Sequence, residues 1–244
     1  ADGAKVLVEQ HAGEGSFYSD GQYAQAGAQV VDGAKAVYDA ADVILKVKEP
    51  LFNQELGVHE VDLMKKGQYL ITFIHPASPV NHEMVKKLAA KAEALGITYG
   101  IEAVNRFEGV VVNTAREAAR YVDMVGSQNV GILLDTYHMN IEEPSIGDAI
   151  RLAGDKLVAF HVGENNRSCP GRGHLDWDEI FGALKAVGYT GRIVAEPFVA
   201  VGGEVGRSVC SWRSLLEDTT EAALDAEAAY MLAFEKAMLK KWGL

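Results

Sequence analysis

Eight short apolar runs punctuate the chain, four before Leu95 and four after, and each is followed by a stretch of helical pattern. The runs are Val6–Glu9, Gln29–Val31, Val43–Val47, Gln68–Ile74, Thr98–Val104, Val130–Leu134, Leu157–Phe160 and Arg192–Ala195. Apolar runs of this length, rich in β-branched residues, read as buried strands. Strands that alternate with helices pair in parallel, because every crossover has to return the chain to the same end of the sheet. Eight such units allow closure, and 244 residues is the usual size for it. The expected fold class is therefore α/β, a (β/α)8 TIM-barrel-like arrangement of parallel strands. No Pro/Gly-rich linker separates the halves, so one domain is expected over 1–244. The intervening helices are expected at Gly21–Gly27, Gly33–Ala41, His82–Leu95, Ala115–Val125, Ile146–Ala153 and Trp177–Val187. Phe52–Lys66 carries a mixed helical pattern, and Ser214–Trp242 reads as helix with one break. Thr114 and Glu117 form a capping box, and Asn81 and Gly96 bracket the helix that begins at His82.

The second half carries its chemistry at strand ends. Its four runs stop at Glu102, Asp135, His161 and Glu196. Groups at the C-terminal ends of parallel strands converge at the mouth of a barrel, where sites of this architecture sit. Three carboxylates and one imidazole suit a hard divalent cation, Mn2+ or else Mg2+ or Co2+, better than structural zinc, which prefers thiolates and further imidazoles. The competing explanation is that these acids pair with Arg106, Arg167 or Arg172. Glu108, His138 and Arg167 lie close by in sequence, His138 on the loop after Asp135, and suit the hydroxyl and carbonyl oxygens of a polyol. Glu164 reads as a loop residue.

Composition narrows the partners. With 23 basic and 34 acidic side chains the net charge is −11, a field that disfavours nucleic acid and anionic membrane surfaces. No run is long enough to span a bilayer. Two cysteines, Cys169 and Cys210, make no disulfide framework and agree with a reducing, cytoplasmic setting. Ala-Asp-Gly-Ala-Lys at the start lacks the apolar core of a signal peptide. Gly13-Glu14-Gly15 follows a strand, but the third glycine of a dinucleotide fingerprint is missing. Should the sheet stay open, its edges would favour a homo-oligomer.

Four stretches carry a family resemblance: Gly100-Ile101-Glu102-Ala103-Val104-Asn105-Arg106-Phe107-Glu108, then Leu134 to Glu143, then Phe160 to Arg167 with Pro170-Gly171-Arg172-Gly173, and Ala195-Glu196-Pro197-Phe198. Residues 92–244 resemble the D-tagatose/D-psicose (ketose) 3-epimerases of the xylose-isomerase-like barrels. The resemblance implies a metal on Glu102, Asp135, His161 and Glu196. It implies that Glu102 and Glu196 take and return the C3 proton of a ketose through a cis-enediolate, and that Glu108, His138 and Arg167 hold the sugar. Residues 5–91 resemble instead the N-terminal domain of alanine dehydrogenase and the transhydrogenase alpha subunit, through Val6 to Ser16, Asp42 to Pro50 and Gly67 to Pro76. In that family the counterparts of Lys48 and His75 contact a keto acid; the nucleotide-binding domain has no counterpart here. The chain thus reads as a hybrid joined within His82–Leu95. The leading expectation is a metal-dependent ketose 3-epimerase. The alternatives are a folded hybrid barrel that binds metal without turnover and a keto-acid-binding module.

Overall fold

The structure is a computed structural model that describes residues 5–46, 49–72, 82–201, 206 and 210–244. It divides into two compact units, Ala1–Ile97 with Gly202–Ser208, and Thr98–Val201 with Val209–Leu244.

In the first unit, β1 (Leu7–Glu9) pairs in parallel with β2 (Gln29–Val31), and β3 (Val43–Lys46) with β6 (Tyr69–Thr72). Helix α1 (Asp20–Gln25) starts from a capping box on Ser19 and Gln22, and α2 (Gly33–Ala40) leads into β3. Phe52–Lys66 departs from the expected helical pattern. It forms a small antiparallel hairpin, β4 (Phe52–Asn53) and β5 (Val58–His59), before the single turn α3 (Glu60–Leu63). Gly57 turns the chain at φ +63°, Asn53 accepts from the Leu56 N–H (2.9 Å), and the buried Glu60 accepts from the Leu51 N–H (2.8 Å). These side chains satisfy backbone donors that a helix would otherwise have used. Buried Gln68 donates to the carbonyls of Tyr38 and Ala41 (2.6 and 2.7 Å), which fixes the end of α2 against the start of β6. Helix α4 (His82–Leu95) has the expected bounds. Ala34, Tyr38, Ile44, Val61, Met84 and Leu88 form the core of this unit. Lys48, His75 and Asn81 lie outside the described residues.

The second unit holds β7 (Tyr99–Glu102), β8 (Val130–Asp135), β9 (Leu157–Val162) and β10 (Arg192–Ala195) in one sheet, all parallel, in the order β10-β9-β8-β7. Every residue of β8 but Leu133 is buried, as expected of a parallel strand covered on both faces. Helices α5 (Ala115–Val125), α7 (Ile146–Ala153) and α8 (Trp177–Ala186) follow the sequence reading closely. Two segments differ. Thr136–Glu142, expected as loop, is helix α6. The last helix, α9 (Glu221–Trp242), begins only after Thr220, whose side chain caps it (3.4 Å from the Ala223 N–H), so Ser214–Thr220 is not helical. The apolar stripe of α9 is spent on packing: Phe234, Met238, Leu239 and Trp242 lie against the core built from Ile132, Leu134, Phe160, Phe181 and Leu184. No described helix is long and apolar enough to cross a membrane.

One irregularity sets the register at the C-terminal end of this sheet. Ile132 pairs with Leu157, but Leu133 pairs with Ala159, so Val158 is an extra residue in β9. Gly100 and Gly131 leave room for its side chain; a Cβ on Gly131 would meet Val158 and the Lys156 carbonyl. Beyond this β-bulge Asp135 sits opposite His161 and His161 opposite Val194. Continued without the extra residue, the pairing that starts at Ile132–Leu157 would set Asp135 opposite Phe160.

Candidate metal and acid–base centre

The four strand-end residues of the second unit come together. Glu102, Asp135, His161 and Glu196 each offer one ligand atom, and these atoms all lie within 4.8 Å of one another. His161 Nδ1 is 3.3 Å from Glu196 Oε2 and 4.0 Å from Glu102 Oε1. Asp135 is wholly buried and has two further duties. Its Oδ1 accepts from the Tyr137 N–H (2.8 Å) and so caps α6, and its Oδ2 receives Arg167 Nη1 (2.6 Å). Capping by the last strand residue lets the helix start with no loop at all, which is why His138 sits on a helix. Thr136 pins the ends of β8 and β9 together: its hydroxyl donates to the Gly163 carbonyl (2.6 Å) and accepts from the Gly163 N–H (2.9 Å).

Of the three arginines that could have neutralised the acids, Arg106 pairs with Glu142 (2.8 Å) and Arg172 with Glu227 (2.9 Å). Arg167 alone of the three reaches the set, at Asp135 and at Glu196 Oε2 (3.3 Å). Its guanidinium also stacks 4.2 Å over the Tyr137 ring, and Nη2 lies 3.0 Å from His138 Nε2. His138 is buried, with Nε2 3.9 Å from Glu102 and Nδ1 3.9 Å from Glu108. All seven residues expected at the site thus lie in one network.

Two buried residues have roles in this network that the sequence does not show, Glu164 reading there only as a loop residue. Asn105 donates from its side chain to Glu108 Oε1 (2.9 Å) and faces His138 Nδ1 (2.8 Å). Glu164 is the keel of the loop that carries Arg167. Its carboxylate takes the Trp177 indole N–H (2.8 Å) and the N–H groups of Gly171 (2.9 Å), Leu175 and Asn165 (both 3.3 Å). The Glu164 carbonyl accepts from the Arg167 N–H (2.9 Å). Arg167 is held there at φ +64°, a left-handed conformation that side-chain-bearing residues adopt only when their surroundings impose it. The one sequence cue to Glu164 is a carboxylate followed by a loop with Gly171, Gly173 and Trp177, which is not specific. Glu164→Ala would leave the buried indole and backbone donors without an acceptor. It is expected to cost about 3–5 kcal/mol of stability, read by urea unfolding; a loss under ~1 kcal/mol would contradict the keel role.

Burial and crowding set the protonation states. Burial, reinforced by Glu196 and Asp135 and only partly countered by His161, pushes the Glu102 carboxyl up to about 8. Burial works against charge on His161, but the hydrogen bond to Glu196 and the charges of Glu102, Glu196 and Asp135 outweigh it and lift the ring to about 9. Burial brings His138 down to about 4 and raises Glu108. Asp135 is also disfavoured by burial, yet Arg167, His138 and His161 hold it below the usual carboxylate range. Crowding of this kind holds protons on Glu102 and His161 that a divalent cation among the four side chains would displace. That donor set and that crowding fit a hard divalent ion.

The family described as "Xylose isomerase-like TIM barrel" matches residues 81–228. "Alanine dehydrogenase/PNT, N-terminal domain" matches residues 1–116, so both matches cover helix α4. The chain is 47% identical over 158 residues to a D-psicose 3-epimerase of Ruminiclostridium cellulolyticum, covering 65% of this chain and 54% of that protein. It is 47% identical over 190 residues to a D-psicose 3-epimerase of Agrobacterium fabrum, covering 76% and 66%. It therefore spans about half the length of the first of these curated relatives and two thirds of the second. A crystal structure of D-psicose 3-epimerase in the presence of D-fructose superposes with a TM-score of 0.68 at 31% identity, covering 96% of this chain and 89% of that one. The barrel class expected from the β/α alternation is the class of these relatives. On these matches the chain belongs to the xylose isomerase-like TIM barrel family, in the company of its ketose 3-epimerases.

Proposed function

We propose that the chain is a divalent-metal-dependent ketose 3-epimerase. The observation that carries this reading is the convergence of Glu102, Asp135, His161 and Glu196 within 4.8 Å, beside Glu108, His138 and Arg167. Those four side chains would hold the cation, Mn2+ or else Mg2+ or Co2+. When bound, the cation supplies Lewis-acid polarisation of the ketose oxygens, which acidifies the neighbouring C–H bond.

The remaining work falls to the chain's own groups. Moving a proton across a carbon needs one carboxylate to take it and one carboxyl to give it back on the other face. Glu102 and Glu196 are that pair. One accepts the C3 proton, the sugar passes through its cis-enediolate, and the other delivers a proton to C3. Arg167, with its guanidinium fixed by Asp135 and Tyr137, donates to ketose oxygens, as does His138, while Glu108 accepts from a sugar hydroxyl.

The full chain, loaded with Mn2+ and incubated with D-fructose, D-psicose or D-tagatose in D2O, is expected to yield the C3 epimer and to carry deuterium at C3. Bound metal with no exchange on any ketose would overturn the catalytic reading. It would favour a hybrid that binds metal without turnover, as a first segment matching another family would allow. The reading of 1–244 as a single domain belongs to the same proposal and expects one cooperative calorimetric transition, with two resolved transitions against it. The cytoplasm is the proposed location, in keeping with Cys169 and Cys210 both being free thiols.

A further inference from the structure

Asn105 is 1% exposed and uses every polar atom it has. Its backbone N–H donates to His138 Nδ1 (3.1 Å), and its carbonyl accepts from the N–H groups of Glu108 and Gly109 (both 3.0 Å). Its side-chain oxygen accepts from the Phe107 N–H (2.9 Å), which fixes which way round the amide lies. The amide nitrogen therefore points at Glu108 Oε1 (2.9 Å) and at His138 Nδ1 (2.8 Å), one hydrogen for each.

His138 Nδ1 thus faces two donors, one of them a backbone group that cannot turn away. A neutral imidazole has one N–H and one lone pair. A proton on Nδ1 would point at both donors. A proton on Nε2 faces one donor, Arg167 Nη2 (3.0 Å), against two at Nδ1; the nearest carboxylate oxygens, Glu102 Oε1 at Nε2 and Glu108 Oε1 at Nδ1, are both 3.9 Å away, so the donor count decides.

We propose that Asn105 is a positioning residue that holds His138 as the Nε2–H tautomer, its N–H turned toward the carboxylate set, and holds Glu108 beside it. His138 then serves as a fixed hydrogen-bond donor to a substrate oxygen, and Glu108 as the paired acceptor. The catalytic consequence rests on the epimerase reading; the tautomer does not.

The test is a long-range 1H–15N spectrum of the full chain with labelled histidine, His138 being assigned by the signals lost in His138→Gln. The expected wild-type ring is bare at Nδ1 and protonated at Nε2. In Asn105→Asp an acceptor replaces the amide nitrogen beside Nδ1, leaving one donor at each ring nitrogen and an acceptor at Nδ1 alone, and the proton is expected to move to Nδ1. With turnover measured in parallel, KM for the ketose is expected to rise about tenfold, the weight of one hydrogen bond to a charged group, with a smaller change in kcat. An Nδ1–H ring in the wild type, or an unchanged ring in the variant, would overturn the proposal. Should Asn105→Asp not fold, the wild-type tautomer decides alone. A shifted ring in a chain that never epimerises a ketose would sink the epimerase reading and leave the positioning role standing.

Discussion

Glu102→Gln and Glu196→Gln are each expected to lower kcat for ketose epimerisation by about 10²–10⁴-fold at saturating metal, the usual worth of a positioned acid or base. Glutamine keeps the volume and one oxygen of each side chain but can neither take nor give a proton at C3. The two variants should fail differently. A two-base epimerase that lacks one base still has the other, so each variant is expected to wash deuterium into C3 of one epimer while losing conversion to its partner. The pair of exchange profiles, one for D-fructose and one for D-psicose, should therefore be complementary between the two variants. Epimerisation within tenfold of wild type in either variant would remove that residue from the acid–base pair. Loss of exchange from both epimers in both variants would indicate that the substitutions had disturbed the cation instead, and metal content measured alongside separates that case.

Loading of the cation is expected to depend steeply on pH. In the chain by itself His161 carries its proton to about 9 and Glu102 to about 8. A cation needs both groups bare, so binding at neutral pH expels two protons. The sign is fixed by that competition: affinity falls as pH falls. It is expected to rise by up to about 100-fold per pH unit below the Glu102 value, by about tenfold per unit between the two values, and to level off above both. Calorimetry with Mg2+ or Mn2+ in buffers of differing ionisation enthalpy reads the protons directly. His161→Gln should expel one proton fewer. Equal heats in all buffers, with a flat affinity from pH 6.5 to 8.5, would contradict the protonation states described for this centre.

Eight strands were legible because each is a short apolar run bounded by polar residues, and among the described residues a strand falls on each of the eight expected runs. Their chemistry was legible for the same reason: an acid or imidazole closing such a run has a predictable place. What could not be read depends on partners distant in sequence. Asn105 matters because of His138, and Glu164 because of Trp177; neither residue type announces that by spacing. Helix α6 is not legible because its N-cap, Asp135, also closes a strand, and an acid in that place reads as a ligand rather than as a cap. The hairpin in Phe52–Lys66 is not legible because two-residue strands leave no periodicity, and only the turn at Gly57 betrays them. Ser214–Thr220 leads straight into a long helical pattern, but its Ser, Asp and Thr residues favour turns and caps, and the Thr220 hydroxyl starts the helix only at Glu221.

The extra residue Val158 means that β9 is counted differently from its two ends. Pairing at the mouth, from Leu133–Ala159 to Asp135–His161, is referenced to the residues that carry the chemistry. Pairing at the bottom, Ile132–Leu157, is referenced to the turn that delivers the strand. The bulge works as a slack link between these two scales. A residue gained or lost between α7 and the bulge is expected to leave His161 opposite Asp135, since that pairing lies beyond the link. For a chain whose two ends match different families, such tolerance separates the length of the connections beneath the sheet from the alignment of the groups above it. Inheritance can then edit one without retuning the other.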